Sequence, residues 1–252
     1  MTLALLALAV AWKFVAPDAQ QVVAMEWKRV LESPLSAAVR HEIPPPAASA
    51  LGSINFIEGI EHVVWTPELL VLEGDFDLQR LKDMALADGG VVRTYNKAEL
   101  LSPSGDEGTR VALVSASVVL LGPEDVVKAA IDRAQKPRAA GPSGYDLWVR
   151  TTGPDLLRHE FSLRIAEDID ITSRLRYRSE EGARDAVNRA SAFGMTGSRD
   201  GAEAALSAHV SRENFTKRHW RLAIETVQNQ SPKPGVIRIY GLDEGVREIP
   251  LK

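Results

Sequence analysis

From Phe161 to Tyr177 the apolar residues fall on odd numbers: Phe161, Leu163, Ile165, Ile169, Ile171, Leu175 and Tyr177. The even positions are polar or charged, apart from Ala166. A period of two marks a strand with one buried face, but 17 residues exceed a usual strand. A hairpin resolves the length. Opposed residues share a face, so the loop must hold an odd number of residues, and Ala166-Glu167-Asp168 fits. That register pairs Ile165 with Ile169 and Arg164 with Asp170. Ser179 then caps a helix carrying Ala183, Ala186, Val187, Ala190 and Phe193.

The same order of elements occurs twice upstream. His62 to Trp65 reads as a strand, Thr66-Pro67-Glu68 as a turn and Leu69 to Leu72 as a second strand. Gly74 ends it, and Asp75 or Asp77 caps a helix to about Ala87 with Leu78, Leu81 and Met84 on one face. A shift of 48 residues gives the strand Val111 to Val114, the turn Ser115-Ala116-Ser117 and the strand Val118 to Leu121. Gly122 falls where Gly74 fell, and Pro123 opens a helix striped by Val126, Val127, Ala130, Ile131 and Ala134. Three hairpin-then-helix units predict an α+β fold built by internal repetition, with a largely antiparallel sheet and helices packed on one face.

The remaining segments are less patterned. Val22 to Met25 suits a strand, and Glu26 to Arg40 a helix interrupted at Ser33-Pro34. Pro44-Pro45-Pro46 marks a loop, and Ala47 to Phe56 a short helix. Gly194 to Gly201 reads as a loop, and Ala202 to Val210 as strand or helix. Thr216 to Gln228 reads as helix and Val236 to Tyr240 as a last strand, with little regular structure from Gly241 to Lys252. The Pro- and Gly-rich stretch at 138–144 suggests a linker between a first α+β half, 17–137, and a second, 145–252.

The N-terminal residues 1–16 form an apolar leader. Thr2 to Trp12 carries no charge, matches the length of a signal-peptide core and is too short to span a bilayer. Ala9-Val10-Ala11 has the small-x-small form of a cleavage site, although no basic residue precedes the run. The expectation is an exported protein, periplasmic or on the outer face of a membrane, with this segment as signal or tether. The competing reading is a buried first element of the fold.

Composition narrows the chemistry. The chain has 252 residues, 45% of them hydrophobic and 25% charged, as in a folded protein. Its net charge of −4 gives no reason to expect a nucleic-acid partner. Having no cysteine, it has no disulfide, thiolate metal site or cysteine nucleophile. His41, His62, His159, His209 and His219 show no metal-ligand spacing, and no phosphate-binding glycine motif or serine elbow occurs. No catalytic residue, metal or cofactor is therefore assigned. Asp168 and Asp170 lie on one strand face, with nothing apolar there to desolvate either one as acid–base work would need. The candidate binding residues are two basic clusters suited to a polyanion: Arg174, Arg176 and Arg178, and then Arg212, Lys217, Arg218, Trp220 and Arg221. Solvated charged rows that keep a sheet soluble are the simpler reading.

Three phrases carry a resemblance: FVAPD at Phe14 to Asp18, the hairpin–helix unit ending at Arg133, and PGVIRIYGLDEGVREIP from Pro234 to Pro250. They resemble a group of uncharacterised exported proteins of soil bacteria, Acidobacteria in particular. The resemblance implies an exported protein and no functional residues. The functional expectation is a non-enzymatic envelope protein that binds or scaffolds another envelope protein. The alternatives are a carrier or sensor of a small or lipidic ligand, and an enzyme with dispersed catalytic residues.

Overall fold

A computed structural model describes residues 10–33, 59–87, 89–102, 104, 108–137, 141–215, 236–241 and 245–250. The strands are β1 (Gln21–Glu26), β2 (Ile60–Trp65), β3 (Leu70–Gly74), β4 (Val91–Tyr95), β5 (Ala98–Ser102), β6 (Thr109–Ser115) and β7 (Val118–Pro123). They continue with β8 (Leu147–Thr151), β9 (Leu156–Ile165), β10 (Ile169–Tyr177), β11 (Thr196–Asp200) and β12 (Glu203–Val210). These twelve form one antiparallel sheet in the order β11-β12-β10-β9-β8-β1-β2-β3-β7-β6-β5-β4. A separate hairpin joins β13 (Val236–Gly241) to β14 (Gly245–Pro250). The helices are α1 (Trp27–Leu31), α2 (Leu78–Ala87), α3 (Glu124–Ala134) and α4 (Glu180–Arg189).

The expected α+β class and antiparallel sheet are present. The β9–β10 hairpin has the register set by parity, with Ile165 opposite Ile169 and Arg164 opposite Asp170. Strand pairs β2–β3 and β6–β7 are also hairpins, followed by α2 and α3. Asp77 caps α2, its carboxylate accepting from the Arg80 N–H at 3.0 Å. Ser179 caps α4, accepting from the Gly182 N–H at 3.3 Å. Ser179→Ala is expected to cost about 1 kcal/mol, the usual worth of such a cap, measured by chemical denaturation.

The helices do not share a face. One core layer holds Val23, Val63, Leu72, Phe161 and Leu163 with Trp27 of α1, Leu81 of α2 and Ala183 and Ala186 of α4. The other holds Val22, Ala24, Val64, Val71 and Leu120 with Val127, Ala130 and Ile131 of α3. Neighbouring strand residues alternate between the two layers, so they lie on opposite faces. Parity is the reason. β3 and β7 pair with Leu72 opposite Val119, so these share a face. The residue 48 positions after Leu72 is Leu120, which points the other way. Corresponding hairpins therefore deliver α2 and α3 to opposite faces.

Other segments depart from the sequence reading. The loop expected at Gly194 to Gly201 contains β11, and the tail after Gly241 contains β14. Of the stretch Ala202 to Val210, Glu203–Val210 forms strand β12. The β4–β5 hairpin and β8 had no sequence assignment. Helices expected at Leu35–Arg40, Ala47–Phe56 and Thr216–Gln228 lie outside the described residues.

Two features cross the expected boundaries. Ala11, Trp12, Phe14 and Val15, within the segment read as a leader, are buried in the α3-side core. The two halves share the sheet through β1, which pairs with β2 on one side and β8 on the other.

Candidate functional site

The central strands carry a row of ionisable side chains. Glu26 of β1 lies opposite His62 of β2, and His62 lies opposite Glu73 of β3. All three share the α3-side face, because the neighbouring row Ala24, Val64 and Val71 belongs to that core. His62 is 4% exposed and Glu73 5%. His62 Nε2 lies 2.8 Å from a Glu26 carboxylate oxygen, and Nδ1 lies 3.8 Å from Glu73 Oε2. Neither ring nitrogen makes an aligned hydrogen bond, and Glu73 Oε2 has no hydrogen-bond partner.

Burial pushes the Glu73 carboxyl up to about 7, against the pull of His62 and of a hydrogen bond from the Ala11 backbone N–H. Burial alone would lower His62, but its close contact with the Glu26 carboxylate, with the charges of Glu73 and Glu61 behind, leaves its pKa raised. The ring has one carboxylate at each nitrogen, so the three groups do not converge on one point as metal ligands would. Among the described residues no group of three or more His, Asp or Glu residues is placed to hold a metal ion.

A second histidine pairing is exposed. His209 Nδ1 lies 2.7 Å from Asp170 and Nε2 3.0 Å from Asp168, and both carboxylates raise its pKa, Asp170 foremost. A cleft of about 430 Å³ lies beside the turn of the β9–β10 hairpin, lined by Arg29, Glu32, Ser33, Ile165, Ala166 and Arg212. Arg29 is paired there with the buried Asp146 at 2.8 Å, and Arg212 donates to the Ala166 carbonyl. Its charged lining does not suit a lipidic ligand.

The fold separates the candidate polyanion residues. Arg174 and Arg176 lie on the exposed face of β10, where Arg176 approaches Glu203 at 3.6 Å. Arg178 follows the end of β10 and donates to the Pro154 carbonyl. Arg212 sits beside Ala166, at the opposite end of that strand. Lys217, Arg218, Trp220 and Arg221 lie outside the described residues.

The two outer strands differ. β11 is exposed at every position and entirely polar, reading Thr196-Gly197-Ser198-Arg199-Asp200. β4 presents Val91, 51% exposed, and Leu86 at the end of adjacent α2 is 50% exposed. These are the two most exposed large hydrophobic residues among those described.

No family model and no curated protein matches the chain. A solved structure, crystal form I of TP0453, is similar with a TM-score of 0.54 at 10% sequence identity. The similarity covers 84% of this chain and 97% of that one. At that identity the likeness concerns the fold alone.

The sequence reading missed the Glu26–His62–Glu73 row. Its only sequence signal is a histidine and a glutamate in largely apolar strands, at positions on the same strand face as buried Val64 and Val71.

Proposed function

We propose that the chain is a non-enzymatic exported protein that binds another envelope protein by backbone pairing at the outer edge of β4. The single observation that carries this reading is the contrast between the two sheet edges. Proteins blunt edge strands with charge and polarity, as β11 does with Arg199 and Asp200. The β4 edge carries exposed Arg93 and Thr94 but also leaves Val91 and Leu86 in water, and no described strand pairs with its outer side. An extended segment with apolar side chains would satisfy the edge amides and cover both residues. The resemblance to exported proteins and the apolar N-terminal segment support placement at the envelope, with that segment as tether. Repetition of a hairpin–helix unit accounts for the long open sheet such a scaffold uses.

Site-resolved crosslinking in the producing cell tests this. A photoreactive residue at position 91 is expected to give one discrete adduct with an envelope protein, and none at position 198. Val91→Lys is expected to abolish an adduct formed from position 93 while changing stability by less than about 0.5 kcal/mol. No adduct at β4, or recovery of the protein solely from the cytosol, would overturn the reading.

A further inference from the structure

We propose that the β4 edge selects an antiparallel partner strand with an acidic side chain opposite Arg93 and an apolar side chain two residues later, opposite Val91. This rests on the edge-pairing reading above and names the chemistry of the partner.

The turn fixes which backbone groups are free. Asn96-Lys97 is a two-residue turn with positive φ at both positions, so Tyr95 and Ala98 close the hairpin as a hydrogen-bonded pair. Bonded and non-bonded pairs alternate along an antiparallel ladder. Arg93–Leu100 and Val91–Ser102 are therefore bonded pairs, with their backbone groups turned to β5. Val92 and Thr94 turn theirs to the open side, where no described strand meets them. A strand that bonds to both sets one residue directly opposite Arg93, at a non-bonded position. Cα atoms at such positions lie about 4.5 Å apart, closer than at bonded ones, so side-chain charge counts most there.

The side chains then define the partner. Arg93 and Tyr95 lie on the α3-side face, because Leu100 and Ala98 opposite them belong to that core, and Val91 shares it by alternation. Across the sheet Arg93 continues the row Leu100, Ala112 and Leu120, all buried and apolar. That row gives its exposed guanidinium no counter-charge. The carboxylates of α3 that reach these strands are engaged. Asp132 accepts from Tyr95 at 2.8 Å and Asn96 at 2.6 Å, and Glu124 accepts from Arg110 at 3.1 Å and Lys128 at 2.6 Å. Glu99 of β5 pairs at 2.6 Å with Lys82 of α2, on the other face. The place left for an anion is the residue an incoming strand sets beside Arg93. Val91, 51% exposed, gains apolar cover from the residue two positions later. The contacts of Asp132 also pin the turn, so β4 is held in its binding form before a partner arrives.

A second copy of this chain does not supply that strand from its own β4. Antiparallel self-pairing through Val92 and Thr94 sets Arg93 against Arg93, Val91 or Tyr95 of the other copy. None is acidic, and the first brings like charges together.

A magnetic resonance titration of the isotope-labelled full chain tests this with two capped hexapeptides. One is Ser-Thr-Glu-Thr-Val-Ser, and the other has lysine in place of glutamate. The glutamate peptide is expected to shift the Val92 and Thr94 amides and to bind about fivefold more tightly than the lysine peptide. The chain's net charge of −4 favours the lysine peptide, so the expected order reports Arg93 and not bulk attraction. Arg93→Glu, a change at an exposed side chain, is expected to reverse the order. Equal binding of the two peptides, or an order unchanged in Arg93→Glu, would overturn this inference and leave the edge reading standing. No shift at Val92 and Thr94 with either peptide at millimolar concentration would overturn both.

Discussion

Replacing Asp146 with alanine is expected to lower the folding free energy by about 3 kcal/mol, the largest effect foreseen for a single polar side chain here. Asp146 is 1% exposed and lies where four elements meet. One carboxylate oxygen accepts from Arg29 of α1 at 2.8 Å, and the other from the backbone N–H of Ile165 in β9. Its own N–H donates to Leu163 at 2.9 Å, and its carbonyl accepts from the Glu26 N–H of β1 at 2.8 Å. Alanine keeps the two backbone bonds. It removes the acceptor for a buried N–H, which then has no partner, and releases the Arg29 guanidinium. The Arg29 side chain is largely exposed, so little of the cost comes from the ion pair itself. Most comes from the stranded Ile165 amide and the lost charged acceptor. Urea denaturation would measure it, and Asp146→Asn, which retains one acceptor, is expected to lose about 1 kcal/mol. A loss below that in the alanine variant would show that the junction is held by β-ladder bonds alone.

Acid is expected to destabilise the protein through His159. Its ring is 4% exposed, and Nε2 lies 2.6 Å from the hydroxyl of buried Ser173. Burial lowers its pKa to about 4, so the folded state keeps the ring neutral. A depressed folded value contributes stability that is present above the ordinary value of 6.5 and lost as pH falls toward 4. By pH 4 the loss amounts to about 3 kcal/mol. The Glu26–His62–Glu73 row opposes it, since both His62 and Glu73 favour the folded state on protonation. The wild-type profile should therefore be nearly flat between pH 7 and 4. In His159→Leu, which keeps only the opposing row, the denaturation midpoint should rise as pH falls over that range. A profile as flat as the wild type's in that variant would assign the pH dependence to other groups.

The parts legible in the sequence are those where one physical signal sufficed. The β9–β10 register followed from a sustained period of two, and the Ser179 cap from a residue whose hydroxyl suits a helix start. β11 escaped because all five of its residues are exposed; its pairing with β12 is carried by the backbone. The β4–β5 turn escaped because Asn96 and Lys97 both adopt positive φ, 45° and 71°, without the glycine that advertises such turns. The placement of helices on both faces was implicit in the even 48-residue shift, but only the β3–β7 pairing makes the parity decisive. The Glu26–His62–Glu73 row could not be read in advance. Its members lie far apart in the chain and meet only when β1 docks beside β2. The polyanion set failed to assemble for the converse reason: clustering along the chain gave Arg178 and Arg212 no common end of β10.

The central position of β1 bears on how the molecule is made. Among the described strands β1 leaves the ribosome first, yet one of its two neighbours is β8, with Gln21 opposite Thr151. Until β8 emerges, any partly folded chain presents the β8-facing side of β1 as an open edge bearing the apolar residues Val22, Val23 and Ala24. Synthesis thus passes through a long interval in which the future middle of the sheet is its most adhesive margin.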